Sequence, residues 1–186
     1  RRTCDRRTGR APSARSDSGP LRTYEAMAAL ALNARPFSGV DVSQFRNKVV
    51  VITGAGSGIG RALALQLNSE GCEMYLSDIN GDSLRETLAL LACKDIPADS
   101  QVLDVADKAA MHAWAGRIDA ARGHVDIVIN NAGVALIATV EECDYKNLEW
   151  LMGINFWGVV YGTQAFLPLL RKSRQGHLVN LSSVFG

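Results

Sequence analysis

The chain has 186 residues, 47% hydrophobic and 21% charged, the balance of a soluble globular domain rather than a disordered segment. A formal net charge of +1 gives no field that would argue for nucleic acid or an anionic membrane as a partner. Four scattered cysteines without a CxxC pair and three histidines without ligand spacing exclude a disulfide framework and a recognisable metal site. Free thiols in a reducing, cytoplasmic compartment are expected.

The charge is unevenly spread. Residues 1–26 hold seven arginines against Asp5, Asp17 and Glu25, leaving 13 basic and 16 acidic residues for the rest. The stretch 1–20 is rich in Arg, Ser, Gly and Pro and nearly free of large apolar residues, so it cannot bury enough surface to offset its chain entropy. We read 1–26 as a disordered basic leader. Its composition imitates an organellar transit peptide, but it shows no amphipathic face and Met27 offers a start of its own. A non-native or non-folding extension is therefore favoured, with 27–47 as a lead-in to a folded domain over 48–186.

From Lys48 onward short apolar runs alternate with helical stretches. Strands are predicted at Lys48–Thr53, Glu73–Asp78, Ser100–Asp104, Val125–Asn130 and His177–Leu181. VVVIT and VDIVIN are nearly continuous apolar runs, as strands covered on both faces require. Helices are predicted over 58–70, 81–92, 107–122 and 144–172, with Asp107 and Asp144 as N-caps and Gly71 and Gly123 as stops. The β-α-β-α alternation implies an α/β fold, a Rossmann-like doubly wound parallel sheet that ends after its fifth strand. Residues 148–170 carry one charge, Glu149, and match a bilayer in length, but Asn155, Gln164 and Pro168 interrupt them inside the alternation. A helix buried between the sheet and a partner subunit is the preferred reading, with no membrane span.

The sharpest local signal is Thr53-Gly54-Ala55-Gly56-Ser57-Gly58-Ile59-Gly60, which follows the strongest strand and opens a helix. Glycines there let the backbone approach a diphosphate, and the helix N-terminus supplies unpaired N–H groups. No GK[ST] follows, which disfavours an ATP-binding loop. Asp78 ends the second strand, where a carboxylate can take ribose hydroxyls and repel a 2′-phosphate. That carboxylate favours NAD over NADP.

The pattern TGxxxGIG resembles that of the short-chain dehydrogenase/reductase family, and further matches recur in order down the chain. Asp104-Val105 matches the family's adenine-contacting pair, and Asn130-Asn131-Ala132-Gly133 its NNAG signature. There Asn131, Ala132 and Gly133 would lie beside the coenzyme. Asn155 matches the helix asparagine that holds a water in the proton relay, and NLSSVFG places the catalytic serine at Ser183. The resemblance covers residues 49–186. It implies an enzyme that moves hydride between nicotinamide and a secondary alcohol or ketone, homodimeric or homotetrameric at full length. INFWGVVYGTQAFLPLL and LVNLSSVFG are similar to bacterial-type members labelled acetoin or short-chain alcohol dehydrogenases.

The family also uses a tyrosine and, four residues on, a lysine, about a dozen residues past the serine. Only Val184, Phe185 and Gly186 follow Ser183, and none of Tyr24, Tyr75, Tyr145 and Tyr161 has a lysine at the fourth position. The polypeptide as it stands is therefore expected to be inactive and, with its fifth strand an open edge, poorly soluble. A non-catalytic dinucleotide sensor or scaffold is the alternative; it could dispense with Asn155 and Ser183. A methyltransferase shares the acidic residue after the second strand but has no place for NNAG or the Ser183 segment.

Overall fold

A computed structural model of the protein describes residues 42–183; the expected 1–26 leader, most of the 27–47 lead-in and the last three residues lie outside the described part. After a 3-10 turn at Val42–Phe45, five strands alternate with helices: β1 (Val49–Thr53), α1 (Gly58–Ser69), β2 (Glu73–Asp78), α2 (Gly81–Leu90), β3 (Ala98–Val102), α3 (Lys108–Arg122), β4 (Ile127–Asn130). Then come α4 (Tyr145–Met152), a π-helical turn (Gly153–Gly158), α5 (Val159–Lys172) and β5 (His177–Asn180). All strand pairs are parallel and the order is β3-β2-β1-β4-β5. The chain winds outward from β1 in one direction and then in the other, so the order reverses between β1 and β4. That point is where open α/β sheets form a crevice at their carboxyl ends.

β1 sits at the centre because it can be buried on both faces. All five of its residues are buried, and their side chains alternate between two cores. Val49 and Val51 join Trp114 and Ile118 of α3 and Phe166 and Leu169 of α5, while Val50 and Ile52 join Ala64 of α1 and Leu84 of α2. The doubly wound arrangement expected from the alternation is thus present. Trp114 and Phe166 meet edge to face, ring centres 5.3 Å apart, at the heart of the first core. Phe166→Leu keeps most of the volume but removes that aromatic pair, so a loss of about 1.5 kcal/mol is expected. A urea midpoint unchanged from wild type would show that the pair adds nothing.

Several expected bounds shift by one or two residues, among them the first strand, which begins at Val49, the 81–92 helix, which ends at Leu90, and the last strand, which ends at Asn180. The third strand runs over Ala98–Val102, two residues earlier than Ser100–Asp104, because pairing with β2 decides it: Met74 lies opposite Ala98 and Asp78 opposite Val102. β3 is a largely exposed edge, so the apolar Val102-Leu103 marked its end rather than its middle. β4 begins at Ile127, although the Asp126 amide still donates to the Val49 carbonyl at 2.9 Å. The helix expected over 144–172 is continuous from Tyr145 to Lys172, but its middle, around Asn155, is a π-helical turn. Among the described residues no helix is long and apolar enough to cross a membrane. One side of α5 is buried (Ala165, Phe166, Leu169, Leu170), whereas Trp150, Met152, Phe156 and Trp157 are about half exposed.

The expected caps are in place. The side chains of Asp107 and Asp144 accept from the amides of Ala110 (3.0 Å) and Asn147 (2.7 Å), and Gly123 ends α3 in the left-handed conformation. Gly71 also has a positive φ, one residue past the Glu70 cap of α1.

Candidate functional site

At the β1–β4 reversal the chain leaves β1 through Thr53 and turns on Gly54, whose φ of +66° an L side chain rarely adopts. The turn is fastened from the neighbouring strand. The Thr53 hydroxyl accepts from the amides of Asn131 and Ala132, each at 3.1 Å, and Asn131 Nδ2 donates to the carbonyls of Thr53 (2.9 Å) and Gly54 (3.0 Å). The NNAG segment therefore joins the ends of β1 and β4, and Asn131 has a structural part in it.

The glycine turn then delivers the chain into α1. Ser57 occupies the N-cap with extended backbone and makes no side-chain cap, and the first amide to reach back is Arg61 N, onto the Ser57 carbonyl at 3.1 Å. The amides of Gly58, Ile59 and Gly60 precede that bond, so they carry the unpaired positive end of the helix. Gly58 has a φ of +52°, and a Cβ built on it would meet no atom within 4 Å. The helix thus opens onto free space.

That space is a groove of about 410 Å³ along the carboxyl ends of the strands. Gly54, Ser57, Gly58 and Ile59 line one part of it, Asp78, Ile79, Leu103, Asp104 and Val105 a second, and Asn131, Ala132, Gly133, Val134 and Ile154 the rest. Asp78 is held at two points: Oδ2 accepts from Gly56 N at 2.8 Å and Oδ1 from Asn80 N at 2.9 Å. Asp104 and Val105 lie in the turn after β3 rather than at its end, and Asp104 Oδ1 accepts from Ala106 N at 2.9 Å.

The π-helical turn bounds the far side. Asn155 accepts from Val134 N through Oδ1 (2.9 Å) and donates to Val134 O through Nδ2 (2.8 Å), pinning the loop that follows Gly133. Both ends of its amide are therefore on one residue's backbone. A π-helical turn commonly marks a site where a helix is bent for function. Past β5, Leu181 N still pairs with Asn130 O at 2.9 Å, which carries the exposed Ser183 to the same carboxyl edge of the sheet.

The structure thus brings the glycine turn, Asp78, Asp104, Val105 and Asn131–Gly133 to one groove, with Asn155 bound to its wall. Gly60 is not among the residues lining the groove and acts from behind the turn. Sequence reasoning missed Arg61 and Thr87. Arg61 Nε donates to Thr87 Oγ1 at 2.9 Å, and its Nη2 reaches the carbonyls of Gly56 and Ser83 and the carboxylate of Glu86. The available signal was a cation in the first turn of a helix, where the dipole disfavours it. The sequence reading also passed over Asp126, buried at the opposite end of β4.

The comparisons with known proteins agree with this geometry. Residues 48–186 match the family described as short chain dehydrogenase. A Mycobacterium tuberculosis protein named as an oxidoreductase, SadH, is 46% identical over 145 residues, which is 78% of this chain and 52% of SadH. A crystal structure of a short-chain dehydrogenase/reductase from Burkholderia phymatum, in complex with NAD, superposes with a TM-score of 0.71 at 35% identity, covering 75% of this chain and 50% of that one. A metagenomic short-chain oxidoreductase in complex with NADP gives 0.70 at 29% identity, covering 75% and 64%. The chain spans about half the length of SadH and of the Burkholderia protein. With most of its length matched to one family and its motifs folded into one groove, the chain belongs to the short-chain dehydrogenase family.

Proposed function

We propose that the full-length protein moves hydride between a nicotinamide dinucleotide and a secondary alcohol or ketone, and prefers NAD to NADP. The observation that carries this reading is the Asp78 carboxylate, fixed by two amides at the rim of a groove into which a helix N-terminus opens. The residues present fit a dinucleotide. The free space at Gly58 and the unpaired amides beside it suit a diphosphate, and a carboxylate one strand away suits ribose hydroxyls. When bound, the coenzyme supplies the hydride-accepting carbon of its nicotinamide.

This chain's residues bind and orient. Thr53, Gly54, Ser57, Gly58, Ile59 and Gly60 form the diphosphate turn, Asp104 and Val105 border the adenine, and Asn131, Ala132 and Gly133 form the floor. Ser183 would hydrogen-bond the substrate oxygen. Asn155, whose side chain holds the Val134 backbone, would hold the water of the proton relay. The family's acid/base pair of tyrosine and lysine has no match among residues 1–186. The half-exposed Trp150, Met152, Phe156 and Trp157 favour a homodimer or homotetramer of the full-length protein. A small alcohol or ketone as substrate and a cytoplasmic setting complete the proposal.

Coenzyme titration of the full-length protein tests it. Wild type is expected to bind NADH more tightly than NADPH. Asp78→Ala removes both the acceptor and the repulsion, so NADH binding should weaken about tenfold and the preference narrow or reverse. A wild-type protein with no affinity for either dinucleotide, or no alcohol-dependent NADH formation, would overturn the reading.

A further inference from the structure

We propose that Arg61 and Thr87 are positioning residues that set the preference between the two nicotinamide coenzymes; this rests on the dinucleotide reading above. Neither residue lines the groove. Both grip the glycine turn from behind, and they do so through its carbonyls. The Thr87 hydroxyl lies 2.9 Å from the Ala55 carbonyl, with Ser83 O of its own helix at 3.1 Å as the other acceptor, and takes the Arg61 Nε hydrogen at 2.9 Å. The Arg61 Nη2 group meets the Gly56 carbonyl.

A trans peptide points its C=O and the following N–H in opposite directions. Holding the Ala55 carbonyl on the α2 side therefore aims the Gly56 amide the other way, and there it meets Asp78 Oδ2 at 2.8 Å. Holding the Gly56 carbonyl in the same manner turns the Ser57 amide away from α2. One peptide is thus fixed at both ends, by Thr87 and by the carboxylate proposed to read the ribose. The fit leaves no slack: a Cβ on Gly56 would stand 2.8 Å from Asp78 Cγ and Oδ2 and 3.1 Å from Ser83 Cβ. Thr87 is fully buried, and Arg61, with Glu86 as its ion-pair partner at 3.0 Å, closes the network toward solvent.

If the grip is lost, the Gly56 peptide can rotate and the Asp78 carboxylate loses one of its two anchors. A wandering carboxylate gives weaker acceptance from ribose hydroxyls and weaker exclusion of a 2′-phosphate. The readout is the ratio of Kd for NADPH to Kd for NADH in the full-length protein, measured for wild type, Thr87→Val, Thr87→Ser and Arg61→Met. Thr87→Val and Arg61→Met are expected to weaken NADH binding about tenfold and to bring the ratio roughly fivefold closer to one. Thr87→Ser, which keeps the hydroxyl, should retain the wild-type ratio. Equal weakening of both coenzymes is what a purely structural role would give, and it overturns the proposal, as does an unchanged ratio. Should buried Thr87→Val fail to fold, Arg61→Met decides alone. A wild-type protein that binds neither dinucleotide takes down the underlying reading and this proposal together, so the two failures are distinguishable.

Discussion

Gly60→Ala in the full-length protein is expected to reduce dinucleotide affinity by about a hundredfold or more and to destabilise the glycine turn. A Cβ at this position would stand deep inside van der Waals contact with the Gly54 carbonyl oxygen, 2.9 Å from its carbon and 2.5 Å from Asn131 Nδ2. Two of these three atoms are backbone, and the third is the amide that bridges the carbonyls of Thr53 and Gly54. None is the free end of a flexible side chain, so relief must come from moving α1 away from the β1–β4 junction. That shift carries the amides of Gly58 and Ile59 with it and undoes the alignment that the proposed diphosphate binding needs. Gly116 is the control. It lies exposed in α3 with nothing within 4 Å of a built Cβ, and alanine there should stabilise by about 0.5–1 kcal/mol without touching affinity. Coenzyme titration and urea unfolding of both variants read the difference. Gly60→Ala binding within threefold of wild type would falsify the close-packing argument.

Much of this arrangement was legible because the sequence states it twice, once in periodicity and once in punctuation. VVVIT reads as a strand covered on both faces, and TGAGSGIG after it as a turn into a helix with its N-terminus open. Asp107, Asp144 and Gly123 marked helix ends by side-chain and backbone chemistry that needs no tertiary context. What escaped depends on partners distant in sequence. The position of β3 is decided by its ladder with β2, not by its own residues, since an edge strand carries little apolar signal. The π-helical turn around Asn155 leaves no local mark. Its reason lies in the grip on Val134, 21 residues away. Arg61 and Thr87 act on main-chain carbonyls, so their residue types carry no motif, and Asp126 is a single charge inside an apolar run, whose partners are distant in sequence.

Asp126→Ala is expected to cost about 3 kcal/mol, although the residue lies at the opposite end of the sheet from the groove. Asp126 ties together the N-terminal ends of three strands. Its Oδ2 accepts from Val49 N at 2.9 Å and its Oδ1 from the Ser173 hydroxyl at 2.6 Å, with Lys48 Nζ at 3.4 Å and His124 Nε2 at 3.5 Å. Its carbonyl accepts from His177 N at 2.8 Å, which anchors β5. Alanine would strand the buried Val49 amide and leave Lys48 without its counter-charge. Burial by itself pushes the Asp126 carboxyl upward. The hydrogen bonds from Ser173 and Val49, and after them Lys48 and His124, outweigh it and hold the group below the ordinary aspartate range. The unfolded chain therefore binds this proton more readily than the folded one, so stability rises with pH through that window. The contribution is complete above the unfolded value, about 3.9, and is lost as pH falls through the lower folded value. Asp126→Asn cannot titrate, so its urea midpoint should fall less than wild type's between pH 5 and pH 3, on top of a smaller deficit than alanine's at pH 7. Parallel acid limbs for wild type and Asp126→Asn would place the acid sensitivity elsewhere and remove Asp126 as the clasp of the three strands.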